Sequence, residues 1–128
     1  MLKKIFLITV FSLFLININA CAQQVDETNI TVKQLKEKMK TDSSLVILDV
    51  RTPQELTGNL GQIEGVINIP VQELGKRVGE LEKYKNKDLV VICRSGNRSA
   101  VATKFLNENG FKAKNILGGM KAYRESEK

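Results

Sequence analysis

The chain has 128 residues, a formal net charge of +6 and no histidine. This length suits one domain. Without histidine the chain cannot form a Ser-His-Asp or Cys-His catalytic pair, and it lacks a common zinc ligand, so we expect no metal site. We also predict no cofactor. The basic residues are spread over predicted helix faces, which indicates a solvated surface and no nucleic-acid partner.

The N-terminus has the pattern of a secretory signal. Lys3 and Lys4 precede an apolar run over residues 5–16, which is too short to span a bilayer. We therefore predict a signal peptide over residues 1–20. A membrane anchor that is retained at the N-terminus is the alternative.

The predicted cleavage region offers two processing sites. Residues 18–21 resemble a bacterial lipobox, in which Cys21 is lipidated and becomes the first mature residue. The alternative is cleavage after Ala22 at an A-x-A site. Both predict export from a bacterial cytoplasm, either to a membrane surface through a lipid anchor on Cys21 or to the periplasm. The polar residues 21–29 are expected to form a tether.

Beyond the tether, apolar strand-like runs alternate with capped helical segments. This alternation predicts an α/β domain with a parallel sheet and helices on both faces, whose ligands bind beyond the carboxyl ends of the strands. The first predicted elements are a helix from Thr31, a strand at 45–50, a short helix from Thr52 and a short strand at 66–70. A helix with Leu74, Val78 and Leu81 on one face and a strand at 89–92 follow. The last elements are a helix ending near Asn109, a strand at 114–117 and a short helix from Gly118 through Tyr123.

The segment over residues 93–99 places a cysteine at the mouth of a loop between a strand and a helix. Inward-facing N–H groups of such a loop form an anion-binding nest, and the helix N-terminus adds partial positive charge. Arg94 and Arg98 flank the sulfur. These influences all favour the thiolate, which is the nucleophilic form.

After processing, Cys93 is the only cysteine that remains a free thiol, so the exported domain has no internal disulfide. An unpaired cysteine in an oxidising compartment points to reactivity. The alternative is a buried, inert cysteine at the end of a strand.

Four segments in order give the chain its resemblance to a known family. They are residues 48–55, 61–70, 93–99 and 115–120. Together they resemble the signature segments of a single rhodanese domain, with residues 93–99 as its active-site loop. The resemblance covers residues 30–126 and implies a central parallel sheet of about five strands with helices on both faces.

The resemblance also implies a sulfurtransferase mechanism. Cys93 would take the outer sulfur of thiosulfate or a similar donor, release sulfite and carry a persulfide, which an acceptor such as cyanide or a thiol then discharges. Arg94 and Arg98 would attract the dianion, and the N–H groups of the whole loop would hold the persulfide. The loop residues in this role are Arg94, Ser95, Gly96, Asn97, Arg98 and Ser99. The domain is expected to act as a monomer.

Other residues are expected to support the loop. Gly96 allows the backbone to turn close to the substrate, and Ser99 is predicted to cap the following helix. Asp49 and Arg51 are predicted to form a structural ion pair or loop brace.

Two other functions compete with sulfur transfer. Cysteine phosphatases and arsenate reductases also use a cysteine-arginine loop, but they place one more residue between the two than lies between Cys93 and Arg98. A rhodanese-like domain can also serve as a non-catalytic sulfur carrier or binding module. Catalytic turnover, as opposed to stoichiometric loading, separates that function from an enzyme.

Overall fold

The two continuous apolar runs of the sequence form the centre of the sheet in the computed structural model, which describes residues 26–128. The strands are β1 (Asn29–Ile30), β2 (Val46–Asp49), β3 (Ile67–Asn68), β4 (Asp88–Ile92) and β5 (Lys112–Ile116). The helices are α1 (Val32–Thr41), α2 (Pro53–Leu56), α3 (Leu74–Arg77), α4 (Asn97–Glu108) and α5 (Gly119–Glu125), and 3-10 segments at Val71–Glu73 and Val78–Tyr84 flank α3.

All five strands are parallel, in the order β1-β5-β4-β2-β3. The predicted α/β fold is confirmed. In the central pair, Asp49 of β2 lies opposite Ile92 of β4. Because both strands end at this point, the residues that follow them, including Cys93, meet at the carboxyl end of the sheet.

Alternate residues of the central strands enter two separate cores. Leu89, Val91 and Cys93 face the core that packs against α3 and α4. Val90 and Ile92 face the core that packs against α1 and α5. This two-sided burial explains why the central strands read as unbroken apolar runs, without polar residues at alternate positions.

Several element boundaries differ from the predictions. Asn29 was predicted to lie in the tether, but it pairs with Asn115 as part of β1. The predicted helix carrying Leu74, Val78 and Leu81 divides into α3 and a 3-10 segment. The predicted strand at 66–70 is only two residues long, and β5 starts at 112, two residues before its predicted start. A two-residue strand is too short to show any periodicity.

The buried pair of Asp49 and Arg51 braces the carboxyl end of the sheet, where Cys93 lies. Arg51 donates through Nε and Nη2 to the Asp49 carboxylate at 2.7–3.1 Å, and neither side chain is exposed by more than 1%. Arg51 Nη2 also donates to the carbonyl of Gly61 (2.7 Å), and its Nη1 to that of Glu55 (3.4 Å). The pair therefore ties the end of β2 to α2 and to the loop before β3.

The predicted signal peptide, its cleavage region and Cys21 lie outside the described residues. Among residues 26–128, none of the helices has the length and apolar character needed to cross a bilayer.

Candidate functional site

Cys93 directly follows β4 and is 1% exposed. The chain then turns through Ser95 and Gly96 into α4. Gly96 occupies the N-cap position of α4 with φ +102°, a left-handed conformation in which a Cβ would also lie 3.3 Å from the Gly118 nitrogen. Only glycine adopts this conformation without strain. The tight turn brings the backbone N–H groups of the loop back over the sulfur.

The Cys93 sulfur accepts hydrogen bonds from its own loop. The backbone nitrogen of Gly96 lies 3.1 Å from Cys93 Sγ, and the hydroxyl oxygen of Ser99 lies 3.2 Å from Cys93 Sγ. Burial raises the pKa of the Cys93 thiol, but the Ser99 hydroxyl and the N–H groups of Ser99, Gly96 and Ser95 lower that pKa by more. The net pKa is below its ordinary value, so more of the cysteine is thiolate at neutral pH.

The N-terminus of α5 holds the loop carbonyls away from the sulfur. The Met120 N–H donates to the Cys93 carbonyl (2.8 Å), and the Lys121 N–H donates to the Arg94 carbonyl (3.1 Å). Gly119 makes this approach possible, because a Cβ there would lie 2.5 Å from the Cys93 carbonyl oxygen. With their carbonyls turned toward α5, the loop peptides can direct N–H groups inward.

The two loop arginines have different surroundings. Arg94 is exposed and, within residues 26–128, its guanidinium makes no hydrogen bond or ion pair. Arg98 forms a bidentate pair with Glu55 of α2, with distances of 2.8 and 2.7 Å. Arg98 was predicted to attract the substrate anion, and its pair with Glu55 was not predicted.

Glu55 is thus a member of the site that the sequence analysis missed. Glu55 follows Thr52 at capping-box spacing, and both the Thr52 N–H and hydroxyl donate to its carboxylate. Hydrogen bonding from Arg98 lowers the pKa of Glu55 to about 2. The contact joins residues 43 positions apart, and no sequence periodicity reports it.

The prediction that Ser99 caps α4 is wrong. Gly96 is the N-cap residue, so Ser99 lies inside the first turn with its side chain buried. Its hydroxyl contacts Cys93 Sγ and also lies 2.6 Å from Oδ1 of Asn115 in β5. Serine at a loop-to-helix boundary is ambiguous in a sequence, because capping and side-chain contacts use the same residue type.

The side chains of the remaining candidates lie around the sulfur and make no hydrogen bond to it. Ser95 and Asn97 are exposed at the rim of the loop, and Asp49 and Arg51 form the buried brace described above. In the part of the chain that the structure describes, no three His, Cys, Asp or Glu side chains are grouped to hold a metal ion. The arrangement is that of a single buried nucleophile surrounded by hydrogen-bond donors.

Residues 31–126 match the family model of the rhodanese-like domain. The chain belongs to the rhodanese family. Among curated proteins, it is 38% identical over 94 residues to the provisionally named sulfurtransferase YtwF of Bacillus subtilis (strain 168), a match that covers 73% of this chain and 87% of YtwF. It is 32% identical over 74 residues to the thiosulfate sulfurtransferase PspE of Escherichia coli (strain K12), covering 58% of this chain and 69% of PspE.

The fold is also similar to solved rhodanese structures. The crystal structure of a rhodanese-related protein from Thermoplasma volcanium superimposes with a TM-score of 0.68 at 38% sequence identity, covering 77% of this chain and 91% of that one. The rhodanese-like architecture that the four sequence segments implied is therefore confirmed.

Gly119→Ala should disrupt the cysteine loop of this rhodanese domain. The new Cβ would lie 2.5 Å from the Cys93 carbonyl oxygen on a backbone with φ +58°, so the loop must move. We expect a loss of about 1–3 kcal/mol in unfolding free energy and a rise of the Cys93 pKa, measured from the pH dependence of its alkylation. Gly75→Ala is the matched control, because nothing lies within 4 Å of its Cβ position. A Gly119→Ala protein with the wild-type pH profile would refute this account of the loop.

Glu55→Gln should destabilise the fold in a pH-dependent way. The folded pKa of Glu55 is about 2, below its usual 4.5, so the Arg98 pair stabilises the fold above that usual value and is lost as the pH falls toward 2. We expect the variant to be about 1–2 kcal/mol less stable at neutral pH, with the difference shrinking across that acidic window. Urea unfolding at several pH values measures it. Glu64→Gln, at an exposed position, should show no such dependence.

Proposed function

We propose that this rhodanese domain is a thiosulfate sulfurtransferase that works through a persulfide on Cys93. The observation that carries the proposal is a buried sulfur that accepts hydrogen bonds from Gly96 and Ser99, with its pKa lowered. A site of this kind stabilises negative charge on sulfur, both on the attacking thiolate and on the persulfide that it forms. The likeness to YtwF and PspE supports sulfur transfer as the reaction class.

The reaction proceeds in two displacements. The Cys93 thiolate attacks the outer sulfur of thiosulfate, a new S–S bond forms at Sγ, and the S–S bond of thiosulfate breaks. Its electron pair leaves with sulfite, and the negative charge of the thiolate moves to the outer sulfur of the persulfide. A thiophilic acceptor such as cyanide or a thiol then attacks that outer sulfur. In the case of cyanide, thiocyanate leaves and the thiolate is restored.

The charges at the mouth of the loop favour an anionic donor. Arg94 is exposed beside the loop, and its guanidinium is suited to bind the sulfonate oxygens of thiosulfate. Because Arg98 is paired with Glu55, Arg94 and the loop N–H groups provide most of this attraction. The near-complete burial of Cys93 favours a donor whose reactive sulfur projects from the rest of the molecule, as it does in thiosulfate.

Loss of Cys93 should abolish the activity. With full-length protein, thiosulfate and cyanide, we expect thiocyanate to accumulate over many turnovers, and Cys93→Ser to reduce the rate to background. Cys21→Ser, which changes the other cysteine, should retain full turnover per folded molecule. Mass spectrometry of the thiosulfate-treated protein should show an adduct of about 32 Da, one sulfur atom, on the Cys93 peptide. Loading without turnover would support the sulfur-carrier function, whereas no loading of a well-folded protein would refute a thiosulfate donor.

We also propose that the protein is exported and held at a membrane surface by a lipid on Cys21. The proposal rests on the signal-like N-terminus and on the lipobox-like residues 18–21. In cells fed a labelled fatty acid, the wild-type protein should carry label and Cys21→Ser should not. An unlabelled mature protein that begins at residue 23 would instead indicate cleavage after Ala22.

A further inference from the structure

A buried chain of side chains leads away from the sulfur toward the edge of the sheet. Ser99 Oγ lies 3.2 Å from Cys93 Sγ and 2.6 Å from Asn115 Oδ1. Asn115 Nδ2 in turn donates to Asn29 Oδ1 of β1 (2.9 Å), which fixes the orientation of the Asn115 amide. Ser99 and Asn115 are 0% and 5% exposed, so water does not substitute freely for either contact.

The hydroxyl of Ser99 carries one hydrogen but faces two acceptors. It can donate either to the sulfur or to Asn115 Oδ1 at one time. The 2.6 Å distance to Oδ1 is that of a good O–H···O bond. When the hydroxyl donates to Oδ1, the Ser99 oxygen is free to accept the S–H of a protonated Cys93. When Cys93 is a thiolate, its charge attracts the hydroxyl hydrogen instead.

We infer that Asn115 is a positioning residue that competes with the Cys93 sulfur for the Ser99 hydroxyl and so sets how strongly the thiolate is stabilised. In the thiol form, the hydroxyl donates to Asn115. On ionisation the thiol proton leaves for solvent base, the hydroxyl rotates to the sulfur, and Asn115 Oδ1 loses its donor. Because a buried acceptor without a donor costs free energy, Asn115 makes ionisation less favourable than Ser99 alone would make it.

The same competition affects the sulfur-loaded state, a step that rests on the proposed function. In the persulfide the negative charge lies on the outer sulfur, and Sγ becomes a neutral divalent sulfur, which is a weak acceptor. The Ser99 hydroxyl then returns to Asn115 Oδ1. Transfer of sulfur onto Cys93 therefore restores a buried hydrogen bond that the free thiolate had broken, and Asn115 favours loading.

Charged groups near the thiol do not account for this behaviour. Arg98 is paired with Glu55 from α2, and Asp49 is paired with Arg51 at the end of β2. Hydrogen bonding from Arg98 keeps the pKa of Glu55 near 2, so this carboxylate does not titrate in the range of the thiol. The elements around the loop carry further charged residues. These are Asp88 on β4, Arg94 in the loop, Lys104 and Glu108 on α4, Lys112 and Lys114 on β5, and Lys121, Arg124 and Glu125 on α5. All of these groups are unchanged in the variants below.

Two variants should move the ionisation of Cys93 in opposite directions. In the full-length protein, alkylation by iodoacetamide is followed against pH on the Cys93 peptide by mass spectrometry, so that Cys21 does not contribute. Ser99→Ala removes the donor, and the midpoint should rise. Asn115→Leu removes the competing acceptor, and the midpoint should fall. Each shift should be about one pH unit, which corresponds to one net hydrogen bond.

A merely structural role for Asn115 would give a different result. Loosening of the loop would raise the midpoint in both variants, so shifts in the same direction, or no shift in Asn115→Leu, overturn the inference. Thr103→Val is the matched control, because it removes a buried hydrogen bond to the Ser99 carbonyl (2.7 Å) but leaves the Ser99 hydroxyl and Asn115 Oδ1 in place. Its midpoint should stay near the wild-type value, and a fall as large as that of Asn115→Leu would also overturn the inference.

A measurement on the wild-type protein covers the case in which Asn115→Leu does not fold. In ¹⁵N-labelled protein, the side-chain amide signals of Asn115 should shift with pH at the same midpoint as Cys93 alkylation, because Oδ1 loses its donor there. The shift should vanish in Cys93→Ser. Amide signals that stay constant through the midpoint would overturn the inference. Neither measurement uses a sulfur donor, so a failure of sulfurtransferase activity would be recognised separately.

Discussion

A buried sulfur that must carry negative charge needs protein donors in place of water. An isolated anion in an apolar interior is strongly disfavoured, and Cys93 is 1% exposed. The loop after β4 meets this constraint with N–H groups and one hydroxyl. Peptide N–H groups can converge on the sulfur only if their carbonyls point elsewhere, so the loop needs a second set of donors on its outer side.

The N-terminus of α5 supplies that second set. Its Met120 and Lys121 N–H groups donate to the carbonyls of Cys93 and Arg94, which satisfies polar groups of both the loop and the helix end. Gly119 allows the two backbones to approach this closely. The last helix of the domain in sequence therefore lies directly against the cysteine loop, although none of its side chains bonds to the sulfur.

Hydrogen bonds, and not neighbouring full charges, lower the pKa of the Cys93 sulfur. Asp49 with Arg51 and Glu55 with Arg98 each form a close pair. Hydrogen bonds that lower the pKa of Cys93 increase its thiolate fraction, yet the nucleophilicity of a thiolate falls as its pKa falls. Sulfur transfer needs both an available thiolate and a reactive one. Competing demands on the Ser99 hydroxyl limit how far the stabilisation goes.

The sequence was sufficient to predict the parts of the molecule that depend on local pattern. The central strands were found from apolar runs, and Cys93 was placed at the carboxyl end of β4 by chain order. The contacts between Glu55 and Arg98, and between Ser99 and Asn115, join elements that are distant in sequence. Such polar contacts have no periodicity. These contacts can be predicted only once the sheet order that brings α2, α4 and β5 together is known.

The edge strand β1 shows why that order matters for the chemistry. β1 has two residues and lies at the edge of the sheet, where backbone pairing alone is weak. The side-chain bond between Asn29 and Asn115 adds to that pairing and also turns Oδ1 of Asn115 toward Ser99. If Asn115 Nδ2 did not donate to Asn29 Oδ1, either end of the Asn115 amide could face the Ser99 hydroxyl. The edge strand therefore determines which polar atom lies behind the nucleophile, one hydrogen bond removed from the sulfur.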